Sequence, residues 1–359
     1  MDNSRHLVRY EIRALNAYPV ANAEGFIKLD AMENPFAFPE DLREGLADAL
    51  ATASLNRYPS ASGAELKSAL RRAMQIPDEL DILLGNGSDE IIQMLALAVA
   101  RPGAAILSVD PAFVMFKMIA TFAGLTYRGV PLNSDFTLNC AAWRAAIREN
   151  KPALIFLASP NNPTGNVFSH DEIDATIHAA QEVGALVVID EAYFAFSDSH
   201  FLNDIARYDN AVLMRTVSKL GLAGLRLGLL IGKREWLNEF DKLRLPYNIN
   251  ALTQAAATFA LSHYDAFLAQ TRVLVSERAR VSAALAGIAG VTVYPSQANF
   301  ILIRVLDAAA TFEKLLAARI LVKNTSKSHP LLVNTLRLTI GTPAENDALL
   351  SALESAARP

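Results

Sequence analysis

The segment Ala185-Leu186-Val187-Val188-Ile189 is five residues long without one polar side chain, and Asp190-Glu191 follows at once. A strand with one wet face alternates apolar and polar residues, so a run that is apolar throughout belongs to a sheet covered on both sides. Ala104–Ser108, Ala153–Ala158 and Val212–Met214 read the same way, and Leu225–Gly232 continues the series. Helical patterns fall between them: Glu40–Ala53, Ala64–Met74, a stretch running from the Gly85-Asn86-Gly87-Ser88 turn to Ala100, and Phe113–Ala123. A further helix begins at Ser169, where Glu172 three residues on completes a capping box. Buried strands alternating with helices predict an α/β fold with a mostly parallel sheet flanked by helices. In such sheets ligands sit beyond the carboxyl ends of the strands.

At 359 residues the chain is long enough for about two domains. Past Tyr247 the pattern changes. One long helical region is expected from Ala251 to about Gly287, then short strands at Val291–Tyr294, Asn299–Val305, Leu321-Val322 and Leu336–Ile340, with a helix at Ala308–Ala318. This predicts a smaller α+β domain over 247–359, a large domain over 48–246, and an N-terminal arm, 1–47, that joins the small domain. The formal charge of −4 offers no basic face for nucleic acid, and the single cysteine, Cys140, rules out a disulfide framework. Met1–Asn22 has charges throughout and no apolar centre, and no stretch reaches the roughly 18 apolar residues of a membrane span. A soluble cytoplasmic protein is the expectation, with no metal and no membrane.

Five residues fall just after predicted strand ends: Gly87, Asn162, Asp190, Tyr193 and Lys219. An aspartate closing an apolar strand is costly to bury unless it faces a cation. The protonated ring nitrogen of pyridoxal phosphate is such a cation, and that cofactor needs the proton to act as an electron sink. Lys219 then supplies a reactive amine and a base. Asn162 and Tyr193 can hydrogen-bond the ring's phenolate oxygen, and Phe113 can stack on the ring face. Ser88, Thr216, Ser218 and Arg226, with the free amides at Gly87, Ser88 and Asp89 opening a helix, make a phosphate cup. A dinucleotide fingerprint is disfavoured because Glu90 stands where its third glycine is needed.

The motifs Ser-Pro-Asn-Asn-Pro-Thr-Gly at 159–165, Asp-Glu-Ala-Tyr at 190–193 and Ser-Lys-Leu-Gly-Leu-Ala-Gly-Leu-Arg at 218–226 resemble the aspartate-aminotransferase superfamily of fold type I. Their order and spacing match too, with Asp190 28 residues after Asn162 and Lys219 29 residues after Asp190. Within the superfamily, Leu29-Asp30-Ala31-Met32-Glu33-Asn34-Pro35, Asn56-Arg57-Tyr58-Pro59, Ala298-Asn299-Phe300 and Leu336–Thr342 are similar to the histidinol-phosphate aminotransferase family. That resemblance implies Lys219 as Schiff-base lysine and Asp190 as pyridinium partner. It implies a homodimer in which Tyr58 reaches the cofactor phosphate of the neighbouring subunit. It also implies a substrate pocket of Tyr18, Asn34, Tyr247, Lys323 and Arg337, with Arg337 clamping the carboxylate of glutamate or the phosphate of histidinol phosphate.

The chain departs from that pattern in three places. Lys219 and Arg226 are one residue closer than in many relatives, Phe113 stands where many carry tyrosine, and Lys323 stands where several carry arginine. The implied reaction moves the amino group of L-histidinol phosphate to 2-oxoglutarate. An aromatic or broad-specificity aminotransferase and a phosphothreonine decarboxylase share the same cofactor residues. A non-catalytic binding domain of this fold is a third alternative, though it has no need of Lys219.

Overall fold

The computed structural model describes residues 7–17 and 19–357. In chain order the elements begin with α1 (Tyr10–Arg13), β1 (Ile27–Leu29), α2 (Arg43–Ala51), α3 (Ala64–Met74), β2 (Asp81–Asn86), α4 (Ser88–Ala98), β3 (Ala105–Asp110), α5 (Val114–Phe122) and β4 (Thr126–Pro131). Then come α6 (Cys140–Asn150), β5 (Leu154–Ala158), α7 (His170–Val183), β6 (Leu186–Asp190), β7 (Ala211–Thr216), β8 (Leu227–Gly232) and α8 (Arg234–Asp241). The chain closes with α9 (Ala251–Ser262), α10 (Tyr264–Ala286), β9 (Thr292–Val293), β10 (Phe300–Arg304), α11 (Ala308–Ala317), β11 (Ile320–Asn324), β12 (Thr335–Thr339) and α12 (Pro343–Ala357).

Seven strands form one sheet in the order β2-β8-β7-β6-β5-β3-β4. Successive residues of its central strands feed two different cores, as the pleat requires. Ile155 and Leu157 of β5 join Val187, Ile189 and Leu213 on one face, under α3, α6, α7 and α9. Leu154, Phe156 and Ala158 join Val188, Val212 and Met214 on the other, under α4, α5 and α8. Phe156 is fully buried and stacks on Phe116 of α5 with ring centroids 4.6 Å apart. Burying a side chain of that kind stabilises by roughly 1.5–3 kcal/mol. These two-sided cores explain why the central strands contain almost no polar residues. The Ser169–Glu172 capping box forms as expected, Glu172 N donating to Ser169 Oγ at 3.2 Å and Ser169 N to Glu172 Oε2 at 2.8 Å.

Three expectations need correction. β8 is antiparallel to both neighbours, and it begins at Leu227 rather than Leu225, because Ala223–Leu225 forms a tight turn and Arg226 takes a left-handed conformation, φ +50°. The helical region from Ala251 breaks at His263, whose φ of −115° and ψ of 32° leave helical space, so α9 and α10 are separate. Segments without an expected element hold regular structure: β1, β4, α6, α8 and α12.

The second sheet has five strands in the order β1-β11-β12-β10-β9. β1 pairs with β11 in parallel, so residues 27–29 of the N-terminal segment extend this sheet. Its core is closed by Leu274, Val281 and Leu285 of α10 and by Leu349 and Leu353 of α12. Tyr193 and Phe196, from the loop after β6, belong to this same core, so the end of the large sheet is packed directly against the small one. α10 spans both units, with Phe267 in the large core and Leu274 in the small one.

Candidate active site

The carboxyl ends of β5, β6 and β7 lie side by side, since these strands run parallel in register. β8 runs the opposite way, so its beginning lies at that same edge, and Arg226 arrives beside the ends of β2 and β7. Asn162, Asp190, Tyr193, Thr216, Ser218, Lys219, Arg226, Ser88, Asp89 and Phe113 all line one cavity there, together with Ala31, Met32 and Glu33 from the segment after β1.

Asp190 closes β6, is 5% exposed, and accepts one hydrogen bond, from Ala192 N at 3.0 Å. Burial pushes its carboxyl up to about 7, with the nearby carboxylates of Asp89 and Glu191 adding to the rise. Lys219 stands in the turn after β7, its ammonium 5.8 Å from the centre of the Tyr193 ring. Burial pushes it down to about 8, helped by the positive charge of Arg337. One cavity thus holds an acid raised and an amine lowered toward neutrality, a pattern found at functional sites. Behind it, Arg215 Nη2 and Nε donate to Glu191 Oε2 at 2.7 and 2.9 Å, while Glu191 Oε1 accepts from Phe201 N at 2.6 Å. This buried pair neutralises the carboxylate that follows Asp190 in sequence and fixes both strand ends.

The phosphate cup is built from close approaches. Gly87 has φ +81°, and a Cβ on it would lie 2.6 Å from Arg226 Nη2. A Cβ on Gly228 would lie 2.7 Å from Ser88 N. Only glycine lets β8 and the guanidinium approach the start of α4 so closely. Thr216 Oγ1 lies 2.9 Å from Ser218 Oγ and 3.0 Å from Leu227 O, and Arg226 Nη2 lies 3.6 Å from Asp89 Oδ2. Hydroxyls, a helix N-terminus and an arginine converge there, a donor set that suits a phosphate. The buried lysine and aspartate in the same cavity suit the aldehyde and ring nitrogen of pyridoxal phosphate, so the residues present fit that cofactor.

A second cavity adjoins the first through Met32, Phe113 and Asn162, and it is lined by Asp110, Lys117, Lys323 and Arg337 among others. Arg337 of β12 is buried there, donating from Nη1 to Asn162 Oδ1 at 2.6 Å and from Nη2 to Asp30 O at 2.7 Å. Lys323 sits opposite it across the β11–β12 pairing. Tyr193 Oη donates to Met32 Sδ at 2.9 Å. Among the described residues, four expected ones, Gly87, Asn34, Tyr58 and Tyr247, line neither cavity of this single chain. Asn34 donates to Leu220 O and Gln270 Oε1, both at 3.0 Å. Tyr58 is 80% exposed and stacks on Tyr247, with centroids 4.5 Å apart. Tyr18 lies outside the described residues. Met32, Asp110 and Asn161 had no signal of their own. Asn161 is fully buried and donates to Pro111 O at 3.0 Å and Thr164 Oγ1 at 2.7 Å, clamping the loop after β3 to the loop after β5.

The sequence pattern of the family described as aminotransferase class I and II matches residues 24–353. The chain belongs to that family. It is 51% identical over 356 residues to histidinol-phosphate aminotransferase 1 of Burkholderia lata, covering 99% of each chain. It is 53% identical over 350 residues to the histidinol-phosphate aminotransferase of Chromobacterium violaceum, covering 98% of each. Among solved structures, the histidinol-phosphate aminotransferase of Sinorhizobium meliloti in complex with pyridoxal 5′-phosphate superimposes with a TM-score of 0.86 over 98% of this chain and 97% of that one, at 23% identity. That likeness shows a shared fold. Among the described residues no helix is long and apolar enough to cross a membrane.

Proposed function

We propose that the protein is a pyridoxal-phosphate-dependent transaminase that moves the amino group of L-histidinol phosphate to 2-oxoglutarate, giving imidazole-acetol phosphate and L-glutamate in histidine biosynthesis. For the reaction type, the supporting observation is the pairing of Lys219 and Asp190 in one cavity, one lowered and one raised. For the substrate, support comes from identity of about half of all residues to histidinol-phosphate aminotransferases over nearly the whole chain.

When bound, pyridoxal phosphate supplies a carbonyl that condenses with amines and a ring that takes up electrons. Asp190 pairs with the ring nitrogen and keeps it protonated. Asn162 and Tyr193 would hydrogen-bond the ring's phenolate oxygen, and Phe113 would pack against the ring. Ser88, Thr216, Ser218, Arg226 and the amides at Gly87–Asp89 hold the phosphate, with Asp89 steadying Arg226. Lys219 holds the cofactor at rest and moves the proton at the donor's α-carbon during turnover. Arg337, with Lys323 beside it, binds the phosphate of one substrate and the carboxylate of the other, since a planar fork suits both anions. The likeness to histidinol-phosphate aminotransferases adds Asn34, Tyr247 and Tyr18 to the substrate pocket. The active unit is a homodimer in the cytoplasm, Tyr58 of each chain serving the other's cofactor phosphate. We divide the chain into the arm at 1–47, a large domain at 48–246 and a small domain at 247–359. Turnover of a donor panel with 2-oxoglutarate tests the reading: histidinol phosphate must outpace phenylalanine, tyrosine, aspartate and phosphothreonine.

A further inference from the structure

The second cavity contains one carboxylate among its described lining residues, Asp110, and three cationic side chains, Arg337, Lys323 and Lys117. Asp110 ends β3 and is held from two sides. Gly129 of β4 leaves it room, since a Cβ there would lie 2.6 Å from Asp110 Oδ2. His329, from the loop before β12, places Nε2 3.8 Å from the same oxygen. His329 Nδ1 accepts from Leu331 N at 3.1 Å, which leaves the ring hydrogen of the neutral form on Nε2, toward the carboxylate. The Asn161 clamp on Pro111 fixes this carboxylate relative to Phe113 and Asn162. Asp110 is therefore pre-positioned beside the cofactor cavity by residues that take no part in cofactor binding.

We propose that Asp110 is a specificity-determining residue that accepts a hydrogen bond from the ring N–H of the heteroaromatic donor and disfavours the dicarboxylate substrate. The inference rests on the reading above. With the donor's amine at Lys219 and its phosphate at Arg337 and Lys323, the imidazole is the one group left, and its N–H needs an acceptor. Glutamate brings no ring N–H. Its side-chain carboxylate must take the cationic side of the cavity and avoid Asp110. One carboxylate thus separates the two substrates that share a single site, attracting one and repelling the other.

The test is a pair of half-reactions on the cofactor-loaded enzyme, each followed by the absorbance change of the bound cofactor, for wild type and Asp110→Asn. With histidinol phosphate, the variant's kcat/KM should fall by about tenfold or more, the scale of a lost hydrogen bond to a charged acceptor. With glutamate it should stay level or rise. Gly129→Ala, which displaces the carboxylate without removing it, should give the same selective loss, and it carries the test if Asp110→Asn does not fold. Equal losses in both half-reactions, or none in either, overturn the inference while leaving the proposed reaction intact. A wild-type enzyme that does not react with histidinol phosphate overturns the proposed reaction, and this inference with it.

Discussion

Arg337 and Asn162 are 175 residues apart in sequence, yet the Arg337 guanidinium donates to the Asn162 carbonyl oxygen at 2.6 Å, joining β12 of the small sheet to the loop after β5 of the large one. The arginine proposed to bind the substrate anion is thereby fixed to a residue that, in our reading, touches the cofactor ring. Any substrate anion held by Arg337 is set at a constant distance from the reacting centre, which is what orientation requires. Arg337→Lys keeps the charge but loses the fork and the link to Asn162. It should lower kcat/KM by on the order of 100-fold in both half-reactions, as expected for about 3 kcal/mol of lost charge-assisted contacts. Loss in only one half-reaction would show that the two anions use different residues.

Asp190 gives a pH test on the cofactor-free protein. Its carboxyl is raised from an ordinary 3.8 to about 7 by burial. Between about pH 4 and 7 the folded state therefore holds one more proton at this position than the unfolded chain, so its contribution to stability is present at low pH and is lost as pH rises through that window. Asp190→Asn removes that dependence. Relative to wild type, the variant should gain stability from pH 4 to pH 8 by an amount on the order of 3 kcal/mol, read as the difference between two denaturation series. Turnover of the variant should fall steeply, because an amide cannot keep the ring nitrogen protonated.

Gly228 tests the phosphate cup. A methyl group there would lie 2.7 Å from Ser88 N and from Gly87 C, both backbone atoms that cannot give way as a side chain would. Gly228→Ala should push β8 from the start of α4, carrying Arg226 with it. Cofactor binding should weaken by about tenfold or more, equivalent to about 1.4 kcal/mol, measured by titrating the cofactor-free variant.

The Arg215–Glu191 pair tests how the strand ends tolerate charge. Both side chains are buried, at 4% and 2% exposure. Arg215→Met leaves Glu191 buried without its partner and should cost about 3–5 kcal/mol of stability, whereas the double variant with Glu191→Gln should recover a large part. Denaturant titration of the three proteins decides it.

Much of this architecture is written in local patterns. The central strands are legible because a strand covered on both faces must be apolar at every position, and α3 is legible because Leu66, Ala69, Leu70 and Met74 recur at helical spacing and form its buried face. β4 is not legible: it is an edge strand, four of its six residues are exposed, and its sequence Thr-Tyr-Arg-Gly-Val-Pro alternates imperfectly. The direction of β8 is not legible either, because a short apolar run reads the same both ways. Residues whose chemistry acts at strand ends, such as Asp190 and Lys219, stand out from the apolar runs before them. Met32 and Asp110 do not, since tertiary packing alone brings them to the cavities. Asn34 and Tyr247 illustrate the converse, as the family resemblance does not reveal that in the single chain Asn34 is engaged by Leu220 and Gln270, and Tyr247 by Tyr58.

The central claim is that Lys219 serves a transaminase acting on histidinol phosphate. Glutamate formation from 2-oxoglutarate, measured for wild type and Lys219→Ala with histidinol phosphate and with phenylalanine as donor, tests it most directly. The wild-type enzyme should be yellow as purified and should prefer histidinol phosphate in kcat/KM, and Lys219→Ala should lose both the visible band and turnover. Faster turnover of phenylalanine than of histidinol phosphate, or an unchanged visible spectrum and rate in Lys219→Ala, would contradict the account.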